Sequence, residues 1–425
     1  MIFPLWSIAP FICMLASIAV VPLVYAKWWD RNSNKLLLSL AVSIPTLAVV
    51  LPNEGHLLVH SMTDYFSFIV LLGSLFIISG GIYIRGQFSG TPLVNTGFLG
   101  AGAILANLIG TTGASMLLIR PYLRANHARQ RTAHLAVFFI FVVSNTSGLL
   151  TPLGDPPLFL GFLRGVPFQW TLQLLPQWAL VVGLLLLIFN LYDQYIFVRE
   201  DVETPGALAE EVQSHRKIHI QGGHNFLYLL GVMGAAIASG HFGWPRGVQE
   251  SLMIAMALLS WFTTPRSVHH MNHFHFHPIL EVAAVFFGIF VTMIPALAIL
   301  EHSAPSLNLQ QPWQYFWMTG ILSSFLDNAP TYLTFCAMAS GIVGTSAENL
   351  GSLLHSPLGV SLLRAVSCGA VFMGANTYIG NGPNFMVKSI AEHAGVKMPS
   401  FGGYMVYSGA ILIPIFIAIT LVFFR

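Results

Sequence analysis

What constrains this chain most is the recurrence, from end to end, of nearly uncharged apolar runs, several of which reach the ~20 residues a helix needs to cross a bilayer. One such run would be an anchor; many make the membrane the solvent of the whole protein. Composition agrees: of 425 residues, 55% are hydrophobic and 8% charged, against roughly 25% charged in soluble domains. The first residues, MIFPLWSIAP, lack the positive n-region of a cleavable signal, so the first run is expected to stay as a helix. A net charge of +2 gives no reason to expect a nucleic acid partner. Cys13, Cys336 and Cys368 sit in apolar segments at no metal-ligand spacing and are expected in the core.

The expected fold class is an all-α polytopic membrane protein. Spanning helices are placed at 9–26, 36–52, 64–84, 134–163, 173–194, 225–240, 249–263, 278–300, 358–388 and 404–424. Two further apolar stretches, 93–121 and 314–342, are interrupted by polar and helix-breaking residues. Both read as re-entrant hairpins, because non-helical backbone at membrane depth is tolerated only where protein or a cavity satisfies it. Residues 1–194 then form an N-terminal half, 195–224 a polar cytoplasmic linker and 225–425 a C-terminal half.

Lysine and arginine orient this layout. With loop 27–35 in the cytoplasm, 14 basic residues fall inside and only Arg164, Arg246, Arg364 and Arg425 outside, a strong positive-inside bias. Both termini are then extracytoplasmic, and the inner (plasma) membrane is the expected location.

The halves resemble each other. Thr151-Pro-Leu-Gly154-Asp155-Pro-Pro157-Leu-Phe159 aligns with Thr377-Tyr-Ile-Gly380-Asn381-Gly-Pro383-Asn-Phe385, 226 residues later. Asn145-Thr146 and Asn376-Thr377 precede or open these segments, and Asn107 in the first hairpin is paired with Asn328 in the second. Five expected spans separate the hairpins, an odd number, so the two repeats are inverted. Inverted repeats with broken helices point to a midplane site in secondary transporters.

The chemistry of such a site follows from the breaks. Gly and Pro stop a helix and free backbone groups. A bound ion can satisfy the carbonyls, and a half-helix N-terminus can face an anion. Asn107, Thr111, Thr112, Asn145, Thr146, Thr151, Asn328, Asn376, Thr377 and Asn381 supply neutral polar groups there. Asp155 and Asp327 are the two carboxylates in strongly apolar context. An acid at mid-membrane costs ~2.5–3.5 kcal/mol on insertion scales and is a functional candidate by default. Glu281 and Asp64 lie nearer helix ends, where snorkelling or capping explains them. Two acids without a mid-membrane base favour a cationic cargo, Na⁺ or Li⁺ on hard oxygen ligands at Asp155 and Asp327. Burial disfavours the charged carboxylate, so the same groups can carry protons when the cation leaves. No cofactor is implied beyond the transported cation and protons. No HExxH or GxSxG motif points to an enzyme.

His269, His270, His273, His275 and His277 crowd an expected cytoplasmic loop. Histidine titrates near neutral pH, so a pH-sensing role is open beside that of a plain polar loop.

At SNTSGLLTPLGDPP, FLDNAPT and GANTYIGNGPN the chain resembles the ion transporter superfamily. That superfamily includes arsenite permeases, divalent-anion:sodium symporters and NhaD-type Na⁺/H⁺ antiporters. Thr-Pro-Leu-Gly-Asp and Asp-Asn-Ala-Pro look most like the NhaD and arsenite branches. The dicarboxylate branch carries Ser-Asn-Thr at its hairpin tips, whereas here Ser144-Asn145-Thr146 precedes the unwound segment. Pro156-Pro157 departs from the Thr-rich continuation of NhaD. The resemblance implies a Na⁺(Li⁺)/H⁺ antiporter, with arsenite or small-carboxylate transport as alternatives, and a homodimer in which hairpin-bearing domains move as an elevator.

Overall fold

The computed structural model describes residues 3–87, 90–203, 216–245, 247–272, 274–307 and 309–425. In chain order these form α1 (Ala9–Val24), α2 (Ala26–Trp29), α3 (Asn32–Gly80), β1 (Tyr83–Gln87), α4 (Pro92–Ala125), α5 (Ala133–Val142), α6 (Pro156–Leu163), α7 (Leu175–Glu203), β2 (Arg216–Gln221), α8 (Asn225–Phe242), α9 (Val248–Thr263), α10 (Arg266–Met271), α11 (His277–Ser303), α12 (Pro312–Ser323), α13 (Asn328–Val343), α14 (Pro357–Met373), α15 (Gly382–His393) and α16 (Phe401–Phe423). Among the described residues, eight helices are long and apolar enough to cross a membrane. The chain is an all-α polytopic membrane protein. α11 and α14 are buried along most of their length, whereas α1, α7 and α16 turn residues such as Leu187, Leu191, Val406 and Leu421 outward. Lipid is as apolar as leucine, so these outward faces need no protein partner.

α4 is long enough to span, yet it doubles back. Its backbone leaves helical geometry at Gly110 (φ 79°, ψ 154°), a left-handed value that glycine adopts without a Cβ penalty. The two arms then touch: Phe98 stacks on Tyr122 with ring centroids 5.2 Å apart, and the Asn95 amide donates to Asn126 at 2.9 Å. In a straight helix, residues 95 and 126 would lie roughly 46 Å apart. The second hairpin is α12 and α13, joined by a break at 324–327, with Tyr315 and Phe335 packed edge to face at 6.5 Å. Both segments therefore double back on themselves.

Two boundaries depart from the sequence reading. α3 covers two expected spans and the polar stretch between them. It breaks only at Glu54 (φ −147°, ψ 53°), just after Pro52, whose ring cannot donate to the preceding turn. Residues 55–63 are helical because the polar side chains there face partners: His60 Nδ1 lies 3.5 Å from Asp64, which pairs with Arg164 at 3.3 Å. Asp64 is thus a buried ion-pair partner, not a capping residue. α7 likewise runs into the segment expected as linker, because Glu200 is buried against the Arg129 guanidinium at 3.0 Å. Of that expected linker, 204–215 lies outside the described residues and Arg216–Gln221 forms β2.

One small sheet was not expected. β1 pairs antiparallel with β2, Ile84 opposite Ile220, and the Asn225 amide donates to the Gly81 carbonyl at 2.8 Å. This clamp ties the end of α3 to the start of the second half. Cys336 and Cys368 are buried as expected, but Cys13 is exposed on the outward side of α1, where a small apolar residue suits a lipid-facing surface.

Candidate functional site

Both broken helices carry the same loop. α5 stops at Val142, a single tight turn covers Thr146–Leu149, and α6 restarts at Pro156. α14 stops at Met373, a tight turn covers Gly374–Asn376, and α15 restarts at Gly382. A Cβ on Gly154 would lie 2.4 Å from the Gly148 carbonyl oxygen, and one on Gly380 would lie 2.5 Å from that of Gly374. Only glycine allows this approach. The Thr151 hydroxyl accepts from Gly154 N at 3.1 Å, as the Thr377 hydroxyl accepts from Gly380 N at 3.1 Å. The residues before the restarting helices match too: Asp155 at φ −146°, ψ 144° and Asn381 at φ −152°, ψ 142°. Proline near the first turn suits each restart, because its missing N–H is not needed there.

The hairpin tips dock on these loops in one pattern. The Thr151 hydroxyl donates to the Asn107 carbonyl at 2.5 Å, and the Thr377 hydroxyl donates to the Ser324 carbonyl. Asn107 therefore corresponds to Ser324, and Thr111, four residues on, to Asn328. This corrects the sequence pairing of Asn107 with Asn328. Asparagine identity suggested the wrong register; the docking bonds fix the right one.

Thr111 and Asn328 meet at Asp155. Its carboxylate accepts from the Thr111 hydroxyl at 2.9 Å, from the Asn328 amide, and from the Asn381 amide at 3.4 Å. Asp155 is buried and its side chain does not cap the helix that follows it, so capping does not account for an acid at this position. Its partners come from both hairpins and from the other broken helix, and among the described residues none of them is basic. Asp327 sits within electrostatic reach of Asp155. It does cap a helix, its Oδ1 accepting from Ala329 N at 3.1 Å. Asn328 is fully buried, and its Oδ1 has no hydrogen-bond partner. A buried, unpaired acceptor beside a carboxylate is costly unless something fills it.

The other expected site residues serve the scaffold around this centre. Asn107 accepts from Leu150 N at 2.8 Å and donates to Ala103 O at 2.9 Å. Thr146 donates to Phe141 O at 2.9 Å, closing the end of α5. Asn145 donates to Asn384 Oδ1 at 2.6 Å and accepts from Asn381 at 3.3 Å. Asn376 donates to the Ser324 hydroxyl at 2.9 Å. Thr112 lines a cavity of about 70 Å³ between the Asp155 loop and an apolar wall that includes Phe68, Leu71, Leu75 and Ile279. Sequence reasoning missed Ser324, Ser144 and Asn384. Ser144 shares a 2.8 Å hydrogen bond with Ser115 and offers its carbonyl to Asn381 at 3.2 Å.

Among the described residues, the histidines do not form one cluster. His269 packs against Trp261 (ring centroids 4.9 Å) and Phe274 (5.2 Å), and burial holds it below the ordinary histidine value of 6.5. His270 and His275 are exposed. His277 reaches the Asp30 carbonyl at 3.1 Å, and His273 lies outside the described residues. Among the described residues, no group of three or more His, Cys, Asp or Glu side chains is placed to hold a metal ion.

Apolar helices, two broken helices and two hairpin tips thus converge on one buried acid, Asp155. The chain belongs to the protein family described as "Putative citrate transport", whose profile matches residues 2–424. No curated protein matches the chain.

Proposed function

We propose that this protein is a secondary active transporter that exchanges Na⁺ or Li⁺ for protons by alternating access, in the manner of NhaD-type antiporters, with Asp155 and Asp327 sharing one midplane site. The observation that carries this reading is Asp155: a buried carboxylate that caps nothing, held by the neutral donors Thr111, Asn328 and Asn381. A buried charge needs a partner, and no basic side chain among the described residues supplies one. A small cation or a proton does so in turn. Asn328 Oδ1, buried and unpaired, is a hard oxygen suited to the same cation. The cycle then follows. Protonated carboxylates release the cation; on the opposite side the protons leave and a cation returns. The reading carries with it two inverted halves, extracytoplasmic termini, an inner-membrane location and a homodimer whose hairpin-bearing parts move together.

A second reading, uptake of a small carboxylate such as citrate, is favoured by the family description and by the N-termini of α6 and α13, which meet at the site and suit an anion. Asp155 occupies that anion-favouring focus itself, which weighs for the cation. Proteoliposomes loaded with a pH-sensitive dye test the two readings. Dissipation of an imposed proton gradient by Na⁺ or Li⁺, but not by K⁺, arsenite, succinate or citrate, is the expected result. Dissipation by citrate or succinate alone would transfer the assignment to the carboxylate.

A further inference from the structure

The two matching loops differ in one respect that bears on how many ions a chain carries. In the second loop the freed carbonyls are already occupied. The fully buried Asn384 amide donates to the Gly374 carbonyl at 2.9 Å and to the Thr377 carbonyl at 2.9 Å. Tyr404 donates to Ala375 O at 2.8 Å and Ser408 to Asn376 O at 2.8 Å. The Asn384 side-chain oxygen is held in turn by the Asn145 amide at 2.6 Å. Its NH₂ group thus sits between two carbonyl oxygens, where a small cation would otherwise bind.

In the first loop Trp178 donates to the Ser147 carbonyl at 2.9 Å, Thr171 to the Leu150 carbonyl at 2.9 Å and Gly154 N to the Thr151 carbonyl at 3.0 Å, but among the described residues no side-chain amide bridges two of its backbone carbonyls. The residue at the position of Asn384, 226 residues earlier, is Leu158, buried and without a donor. Among the described residues no side chain donates to the Gly148 carbonyl, the counterpart of Gly374. The first loop has Asp155 where the second has Asn381. The first loop is therefore acidic and leaves the Gly148 carbonyl without a side-chain donor, whereas the second is neutral and has Asn384 between its Gly374 and Thr377 carbonyls.

We infer that Asn384 is a built-in plug of the second loop, a positioning residue that restricts the protein to one bound cation per chain, at the Asp155 side. This inference rests on the cation-exchange reading. An amide between carbonyls satisfies them without bringing charge, so the second loop keeps its unwound shape through the cycle while only the first exchanges its occupant. Through Asn145, the plug also fixes the first loop against the second.

The test is the number of Na⁺ ions bound by the purified full-length protein at alkaline pH, measured by equilibrium dialysis with ²²Na⁺. The wild type is expected to bind one per chain, and Asp155→Asn none. Asn384→Asp keeps the acceptor that faces Asn145 but turns the donor into an anion facing two carbonyl oxygens, so its count should rise from one towards two. Two ions in the wild type would overturn the plug and leave cation exchange standing. So would a folded Asn384→Asp that still binds one. No ion bound by the wild type would overturn the exchange reading, and the plug with it. The wild-type count decides even if the variant does not fold.

Discussion

At the scale of single residues, the exchange mechanism stands or falls with charge at two positions. Asp155→Asn keeps shape and hydrogen-bonding capacity, and asparagine already stands at the matching position, Asn381, so insertion and folding should survive. Removing one member of a buried charge interaction costs about 3–5 kcal/mol, so apparent Na⁺ or Li⁺ affinity should fall more than about a hundredfold. Asp327→Asn should also keep its helix, because Asn caps as well as Asp, yet lose cation-coupled proton movement. In the wild type, protons compete for the same carboxylates, so apparent cation affinity should fall as pH falls. Wild-type exchange by Asp327→Asn in the dye assay would remove it from the mechanism. Both aspartates were legible in the sequence because an acid within an apolar run is costly to insert and contributes nothing to lipid-facing packing. Asn384 was not, since an asparagine after Gly-Pro reads as an ordinary turn residue. Ser324 was not either: it acts through its carbonyl, which sequence does not mark.

At the scale of elements, the broken helices and hairpins were readable because Gly and Pro interrupt otherwise continuous apolar helices. The β1–β2 clamp was hidden: its strands are short and lie more than a hundred residues apart, so no local pattern announces them. The helical stretch 55–63 was hidden for a different reason. Its His60 leans on Asp64, whose partner Arg164 no local window contains. The loop geometry itself predicts a contrast between two glycines. Gly154→Ala would place a Cβ 2.4 Å from the Gly148 backbone, whereas one on Gly382 meets nothing within 4 Å. Gly154→Ala should therefore lower the melting temperature and abolish transport, while Gly382→Ala should leave both near wild type; equal effects would mean the close backbone approach is not required. The aromatic patch on α9 and α10 makes a separate prediction. His269 is held below 6.5 by burial, so the folded state prefers the neutral ring. Stability from this source is present above about 6.5 and is lost as pH falls through the lower folded value. His269→Gln should flatten that acid-side loss in thermal melts followed by tryptophan fluorescence. An unchanged profile would leave the histidine run as a plain loop.

At the scale of the whole molecule, the question is which elements cross the membrane, because parity decides whether the two matching loops face each other in opposite senses. α8 and α9 are the critical pair. At 1.5 Å per residue they are roughly 24–27 Å long, slightly short of the ~30 Å hydrocarbon core, a mismatch that local thinning of the bilayer accommodates. If both cross, and α11 after them, then Gly223 lies on the cytoplasmic side with the basic loops, Pro245 lies outside, and Ser306 lies outside. All three positions are exposed, so each can carry a single reporter cysteine. Cys13 is exposed and must first become serine, whereas Cys336 and Cys368 are buried and can stay. With a membrane-impermeant thiol reagent on intact spheroplasts and on inverted vesicles, Gly223→Cys should react only from the cytoplasmic side, and Pro245→Cys and Ser306→Cys only from outside. Pro245→Cys reacting from the cytoplasmic side, with Ser306→Cys still outside, would mean that α8 and α9 dip without crossing; that leaves the parity intact, since it removes two crossings. Ser306→Cys reacting from the cytoplasmic side would leave an even number of crossings between the hairpins. Both would then enter from the same face, and a site opened alternately by two opposed halves would have to be abandoned.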